Sequence, residues 1–411
     1  MSPPFVSGSN KRYRADVPNR EPSTSEGLRR TNLAKVLQFI HRDGPTSRAD
    51  LTVRSGLSRP TVGLVLSTLA SAGLVTVGKA RQGSGGGRPS PVVEPTDQHL
   101  VATVYVDVTG VEVALCGLGG RILAVAATNS SVRDPEWVVG EAARLLDRLL
   151  VPFNGISRVL RVVAVVPGRV KSDEGLVVNA PHLQWQRVAL ATALAEATGL
   201  PSELAHDGHA GALAEWRWGT GRETNDLIYL YAGPGGVGAG IISAGSLLRG
   251  SHELAGRLAH VAVSDDGPLC YCGAHGCLTT HLSAAALDAA IGGNGVERSA
   301  ASLAERMADL GADHPVMQRL AAQLTRGLRT VVAVFDPDVI VLAGALTGFL
   351  NVAGTRVAGA LAHTNLDVAR DAVRVVEPTL GSQQLHIGAS DIGFASLLED
   401  PSPTIATADG S

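Results

Sequence analysis

Cysteine is scarce in this chain, 4 residues in 411, which excludes the disulfide-dense scaffolds of small secreted domains. Long apolar runs are missing as well. The longest, residues 158–166 and 339–346, fall well short of the roughly 20 residues needed to cross a bilayer. No apolar N-terminal segment leads to a small-residue cleavage site, so a cytoplasmic protein with no membrane partner is expected. A length of 411 residues is too great for one ordinary core and suits a small module followed by a two-lobed domain.

The net charge of −3 conceals an asymmetry: residues 1–90 hold 14 Lys and Arg against 5 Asp and Glu, about +9, leaving about −12 on the remainder. The front of the chain is suited to a polyanion. Residues 1–26 mix Pro, Ser, Arg and Glu without apolar period and read as a disordered basic tail. Leu33, Val36, Leu37 and Ile40 then recur at helical spacing, and residues 48–55 give a second, short helix. Gly56-Leu57 turns the chain into a third helix, with Ser58 as its N-cap, Pro60 in its first turn, and Val62, Leu66 and Leu69 on one face. Two strands, 73–77 and 91–94, flank the loop Gly83-Ser84-Gly85-Gly86-Gly87-Arg88-Pro89 and form a wing.

Residues 27–96 are therefore expected to be a winged helix-turn-helix on double-stranded operator DNA. A helix entering the major groove presents short polar and Arg side chains near its N-terminus, the place held by Ser58, Arg59 and Thr61. Arg48, Arg54, Arg81 and Arg88 are the candidates for phosphate contacts. The competing reading is a helical packing domain with a solvated basic face.

Beyond residue 97 the period changes. Strand-like runs at 100–108, 111–118 and 122–128 form an antiparallel meander. Helices at 136–150, 187–198, 318–335 and 384–398 alternate with buried strands at 159–166, 226–232 and 339–343. That alternation predicts an α/β domain of two related lobes over 97–400, split near 206, with its last helix returning to the first lobe and 401–411 as a disordered tail.

Cys116 stands alone in an apolar run, whereas Cys270-Tyr271-Cys272-Gly273-Ala274-His275-Gly276-Cys277 crowds three thiols into eight residues. Such crowding in a reducing compartment favours a metal. His260 completes a Cys3His set, the composition of a closed structural zinc site, with His275 inside the loop as the rival nitrogen ligand.

These pieces together resemble the regulator branch of the ROK family (repressors, open reading frames and kinases). The resemblance rests on Ser47-Arg48, on Gly56 to Val62, on Gly86-Gly87-Arg88-Pro89, on Gly240 to Gly250, on Ala255 to His260 and on the cysteine loop. Asp336-Pro337-Asp338 and the strand ending at Gly344 resemble the family's second-lobe nucleotide strand. The resemblance implies an actin-like, two-lobed sugar-kinase fold, a homodimer or homotetramer, and structural Zn2+ on His260, Cys270, Cys272 and Cys277.

It also supplies a test of kinase chemistry. The family's base is an Asp that follows an Asn; here His206 precedes Asp207. Its first phosphate loop, Asp-x-Gly-Gly-Thr, becomes Asp107-Val108-Thr109-Gly110-Val111, and its second survives as Gly233-Pro234-Gly235-Gly236-Val237-Gly238 without the Thr. Where two glutamates and the zinc-bound His orient the sugar hydroxyls, Arg257, Thr279 and His260 stand. The expected function is thus non-enzymatic: a regulator of carbon metabolism with a degenerate effector cleft holding His206, Asp207, Arg257, His260 and Thr279, and Asp207 kept as a relic that caps the helix 208–218. Arg257 either takes an anion such as a sugar phosphate or pairs with a neighbouring carboxylate. His182 and His209 are further candidates for the cleft wall. The rival functions are an ATP-dependent, glucokinase-like sugar kinase with a DNA-binding appendage, and a scaffold whose pocket binds nothing.

Overall fold

A computed structural model describes residues 24–81, 90–294, 299–362 and 373–408. Arg88 and the rest of the wing loop lie outside them, as does the tail up to residue 23.

The N-terminal module comprises α1 (Ser25–Asp43), β1 (Thr46–Ser47), α2 (Arg48–Ser55), α3 (Arg59–Ser71), β2 (Val75–Arg81) and β3 (Ser90–Pro95), with the strands ordered β1-β3-β2. Helix α1 opens earlier than the expected tail allowed, because the Thr24 hydroxyl accepts from Gly27 N and Glu26 lies in the positive first turn. Ser47 and Ser58 cap α2 and α3 in the same way, and Gly56 turns between them at φ 67°. Leu37, Ile40, Leu51, Val62, Leu69, Leu74 and Val93 close a shared core.

The first lobe contains β4 (His99–Asp107), β5 (Gly110–Gly117), β6 (Arg121–Asn129), α4 (Pro135–Leu150), β7 (Arg158–Val166), β8 (Arg169–Lys171), β9 (Leu176–Ala180), β10 (Trp185–Val188), α5 (Leu190–Thr198) and β11 (Ser202–His206). The helix expected from residue 187 starts at Leu190 instead, because Val188 is still paired with Val177 in a small sheet. After α6 (Asp207–Arg217), the second lobe holds β12 (Leu227–Gly233), β13 (Gly236–Ser243), β14 (Ser246–Leu247), α7 (Leu278–Leu282), α8 (Ala284–Ala290), α9 (Ala300–Leu310) and α10 (Pro315–Phe335). It ends with β15 (Val339–Gly344), α11 (Thr347–Ala362) and β16 (Arg374–Val376).

The main sheets run β11-β7-β4-β5-β6 and β14-β13-β12-β15-β16. In each, an antiparallel meander of three strands is extended by two parallel strands beside the first. One topology is thus used twice, as expected for related lobes.

Helix α12 (Gln384–Glu399) returns to the first lobe, packing on β4, β7 and α6. The expected C-terminal disorder is wrong over most of its length: α13 (Ser402–Ala408) is helical and packs against α3. The Asp400 carboxylate caps Ser402 N at 3.0 Å, and Ile405 joins the module's core.

Two glycines draw α6 close to its neighbours. A Cβ at Gly208 would stand 2.1 Å from Ala239 O of β13, and one at Gly388 would stand 1.7 Å from Ala210 O. Helix α6 is therefore in backbone contact with the second lobe at its start and with α12 further along.

Candidate DNA interface, cleft and metal cluster

On the N-terminal module, Ser58 and Arg59 are exposed at the open end of α3, and the hydroxyls of Ser58 and Thr61 lie 2.8 Å apart. Leu64 continues this face at 65% exposure. Other basic candidates are occupied. Arg48 donates from Nη2 to Arg59 O at 3.1 Å, bracing the first turn of α3. Arg54 pairs with Asp43 at 2.7 Å and lies over the Phe39 ring. Asp43 is held below its ordinary pKa; burial resists that shift, and the hydrogen bonds from Arg222 and Arg54 overcome it.

The cleft between the lobes brings together all five effector candidates, His206, Asp207, Arg257, His260 and Thr279, and His182. His206 ends β11, and its Nδ1 lies 3.2 Å from both Gly208 N and Asp207 Oδ1. His206 stands at the N-cap position of α6, and Asp207, the helix's first residue, also accepts the Gly208 N–H, at Oδ1 and 2.7 Å, so both side chains meet the opening amide. Burial pushes the His206 pKa down to about 4, and Arg257 adds to the effect. Burial pushes Asp207 up to about 6, against the pull of the Gly208 N–H and Arg257. His209 faces His206 edge to face and is driven down to about 3, mainly by burial.

Arg257 meets no carboxylate among the described residues. Its Nη2 lies 3.2 Å from Tyr271 Oη and 3.2 Å from His260 Nε2, while Tyr271 Oη and His260 Nε2 are 3.0 Å apart. The carboxylate-paired alternative is replaced by an Arg–Tyr–His cluster. Thr279 Oγ1 accepts from Val237 N at 3.3 Å and so ties α7 to β13. With Tyr271 lodged beside His182, the free cavity is about 30 Å3, room for a water and far less than the ~300 Å3 of a typical ligand pocket. Tyr271 was not singled out from sequence; an aromatic between two clustered cysteines was the available signal.

Next to the cleft, one donor atom from each of His260, Cys270, Cys272 and Cys277 lies within 4.8 Å of all the others. A tetrahedral zinc sets thiolates about 3.8 Å apart and a thiolate and an imidazole nitrogen about 3.5 Å apart. Here Cys272 and Cys277 Sγ are separated by 3.6 Å, and Cys270 Sγ and His260 Nδ1 by 3.5 Å. The donor set therefore fits the ion. His275 does not join it; its Nδ1 lies 3.0 Å from Gly267 O.

Sequence reading missed the joint between module and body. His41 of α1 accepts from Gly119 N at Nδ1 (3.0 Å), so its Nε2–H points to Asp391 Oδ1 of α12 (3.2 Å) in a buried contact. Arg217 at the end of α6 approaches the other Asp391 oxygen at 3.5 Å. Gln38 donates to Leu398 O at 2.9 Å, and Arg222 reaches Asp43 at 2.7 Å. No local pattern announces partners 350 positions apart.

Comparison with known proteins agrees with this geometry. The DNA-binding transcriptional repressor Mlc of Escherichia coli is 26% identical over 65% of this chain and just under two thirds (66%) of its own length. A crystal structure of a ROK family transcriptional regulator, a homologue of Mlc, superposes with a TM-score of 0.73 at 24% identity, covering 92% of this chain and 99% of the other. A ROK family glucokinase from Streptomyces griseus, in complex with glucose and AMPPNP, superposes at 0.61 and 24% identity over 71% of this chain and 98% of its own. Among the described residues no helix is long and apolar enough to cross a membrane. The ROK family profile matches residues 101–394, and the chain belongs to that family.

Proposed function

We propose that this protein is a DNA-binding transcriptional regulator of sugar metabolism, acting in the cytoplasm as a homodimer or homotetramer on double-stranded operator DNA. The observation that carries the reading is the N-terminal module: a capped, exposed α3 terminus backed by a helix that is itself bonded to the body. Ser58, Arg59 and Thr61 read base edges, with Arg88 of the wing on phosphate; Arg48 serves chiefly by bracing α3. Structural Zn2+ on His260, Cys270, Cys272 and Cys277 holds the loop that forms one wall of the cleft.

The effector is a sugar or a sugar phosphate that displaces Tyr271 and meets Asp207, His206, His260 and Arg257. Arg257 favours the phosphorylated form, because a guanidinium forks onto phosphate and no carboxylate lies within ion-pair distance of it among the described residues. Phosphoryl transfer does not suit the site. Arg257 and Thr279 offer no anionic acceptor where sugar hydroxyls need one, and Val108-Thr109 makes a tight β4–β5 turn in place of a glycine loop.

In-vitro selection of operator duplexes by the full chain tests the reading. Arg59→Ala is expected to weaken the selected complex by about 1–3 kcal/mol. Indifference of the full chain to duplex DNA at low salt, or efficient ATP-dependent hexose phosphorylation abolished by Asp207→Asn, overturns it.

A further inference from the structure

A second cavity, of about 450 Å3, lies where α1 of the DNA-binding module meets α12 and the end of α6. It is large enough for a small organic ligand, unlike the closed cleft with its 30 Å3. Its apolar surface comes from Phe39 and Leu398, and its charge from Lys35, Arg42, Arg217 and two carboxylates.

Those carboxylates offset the cations only in part, Asp391 lying 3.5 Å from Arg217 Nε. Asp391 is engaged by His41 and approached by Arg217, and Glu399 is exposed at the mouth. Lys35 has no ion-pair partner among the described residues, and Arg217 Nε is buried without a hydrogen-bond acceptor while its guanidinium stacks on Trp216. The wall thus offers the unpaired Lys35 ammonium, and a guanidinium that its carboxylate approaches without a hydrogen bond, beside an aromatic and an aliphatic surface. We propose that this cavity is a ligand site for a small organic anion, a carboxylate or phosphate ester carrying an apolar ring or chain.

Such a ligand bridges the module and the body directly. Lys35 and Phe39 belong to the DNA-binding module, whereas Arg217 and Leu398 belong to the ROK domain. By linkage, a ligand that prefers one seating of the module alters operator affinity by the factor by which DNA alters its own. The site is separate from the cleft and does not depend on what the cleft binds.

The test is calorimetric titration of the full-length protein with benzoate and with phenyl phosphate, using benzyl alcohol as the uncharged control. Hydrogen exchange then locates the bound probe. At least one anion is expected to saturate one site per chain and to slow exchange in peptides covering 33–43 and 391–399, while benzyl alcohol does not bind. Lys35→Glu, at an exposed position, is expected to leave the melting temperature unchanged and to weaken binding at least tenfold; Arg217→Met is expected to do the same to affinity. The proposal fails if neither anion saturates, if benzyl alcohol binds equally, if Lys35→Glu leaves affinity unchanged, or if protection falls on the cleft instead.

Discussion

Asp391→Ala removes a side chain that both α1 and α6 approach, and its effect follows from two distances and its burial. The carboxylate accepts from His41 Nε2 at 3.2 Å, lies 3.5 Å from Arg217 Nε, and is less than one-tenth exposed. A hydrogen bond to a charged group contributes about 1.5–3 kcal/mol, and the donors left behind in a buried joint add a comparable penalty. Loss of about 3 kcal/mol from the joint raises the population of module-released molecules roughly a hundredfold, since every 1.4 kcal/mol is tenfold. Gly119 N supplies the reporter, because its hydrogen goes to His41 Nδ1 across the joint at 3.0 Å. Hydrogen exchange at Gly119 in Asp391→Ala is expected to be about a hundredfold faster than in the wild type, with amides of β12 and β15 unchanged. An unaltered Gly119 rate refutes the argument, as does acceleration spread equally through the second-lobe sheet.

Two further outcomes follow from the cleft and the cysteine cluster. The purified protein is expected to hold one zinc per chain by metal analysis, and Cys272→Ser to lose both the ion and several degrees of melting temperature. Asp207, with its pKa raised from 3.8 to about 6, binds its proton more tightly when folded than when unfolded. Its contribution to stability therefore falls as pH rises through 4 to 6, and above that window the buried charge costs up to about 3 kcal/mol. Asp207→Asn is expected to melt higher than wild type at pH 7.5, with the gap narrowing as pH falls through 6 and closing below the ordinary carboxyl value of 3.8. His206 and His209, drawn down to about 4 and 3, act in the opposite sense: both proteins lose stability as pH falls below 6.5, and His206→Gln flattens that limb in a melting series.

The sequence was legible wherever structure is set by neighbours along the chain. Ser58 before an apolar helical period specifies a capped α3, and three cysteines within eight residues specify the cluster of donor atoms they form with His260. It was illegible wherever a side chain's role is decided by a distant partner. Arg54 looks like a phosphate contact until Asp43 is found 2.7 Å away, and Arg48 until its guanidinium is found on Arg59 O. The C-terminal segment reads as disordered because Ser402 to Ala408 lacks an apolar period of its own; its helix rests on the Asp400 cap and on Ile405 reaching the module's core. Tyr271 was hidden for a further reason: it sits between two cysteines that claim the motif, although its side chain lines the cleft beside His182.

Helix α6 gives the cleft a physical route to the N-terminal module. It starts at Asp207 on the cleft wall and ends at Arg217 in the joint, 11 residues or about 16 Å at 1.5 Å each. Its first turn touches β13 at Gly208, and its next residues touch α12 at Gly388, both closely enough that a single methyl group would collide with backbone. Packing this tight does not deform continuously, so a ligand that enters by displacing Tyr271 and parts the lobes must either slide α6 along α12 or carry both helices together. In the first case Arg217 leaves Asp391; in the second, His41 is drawn with it and α3 turns relative to the body. A disulfide engineered between α6 and α12, which pack along each other, discriminates the two. A locked pair that still loses DNA on effector binding requires the joint motion, and a locked pair that no longer responds requires the slide.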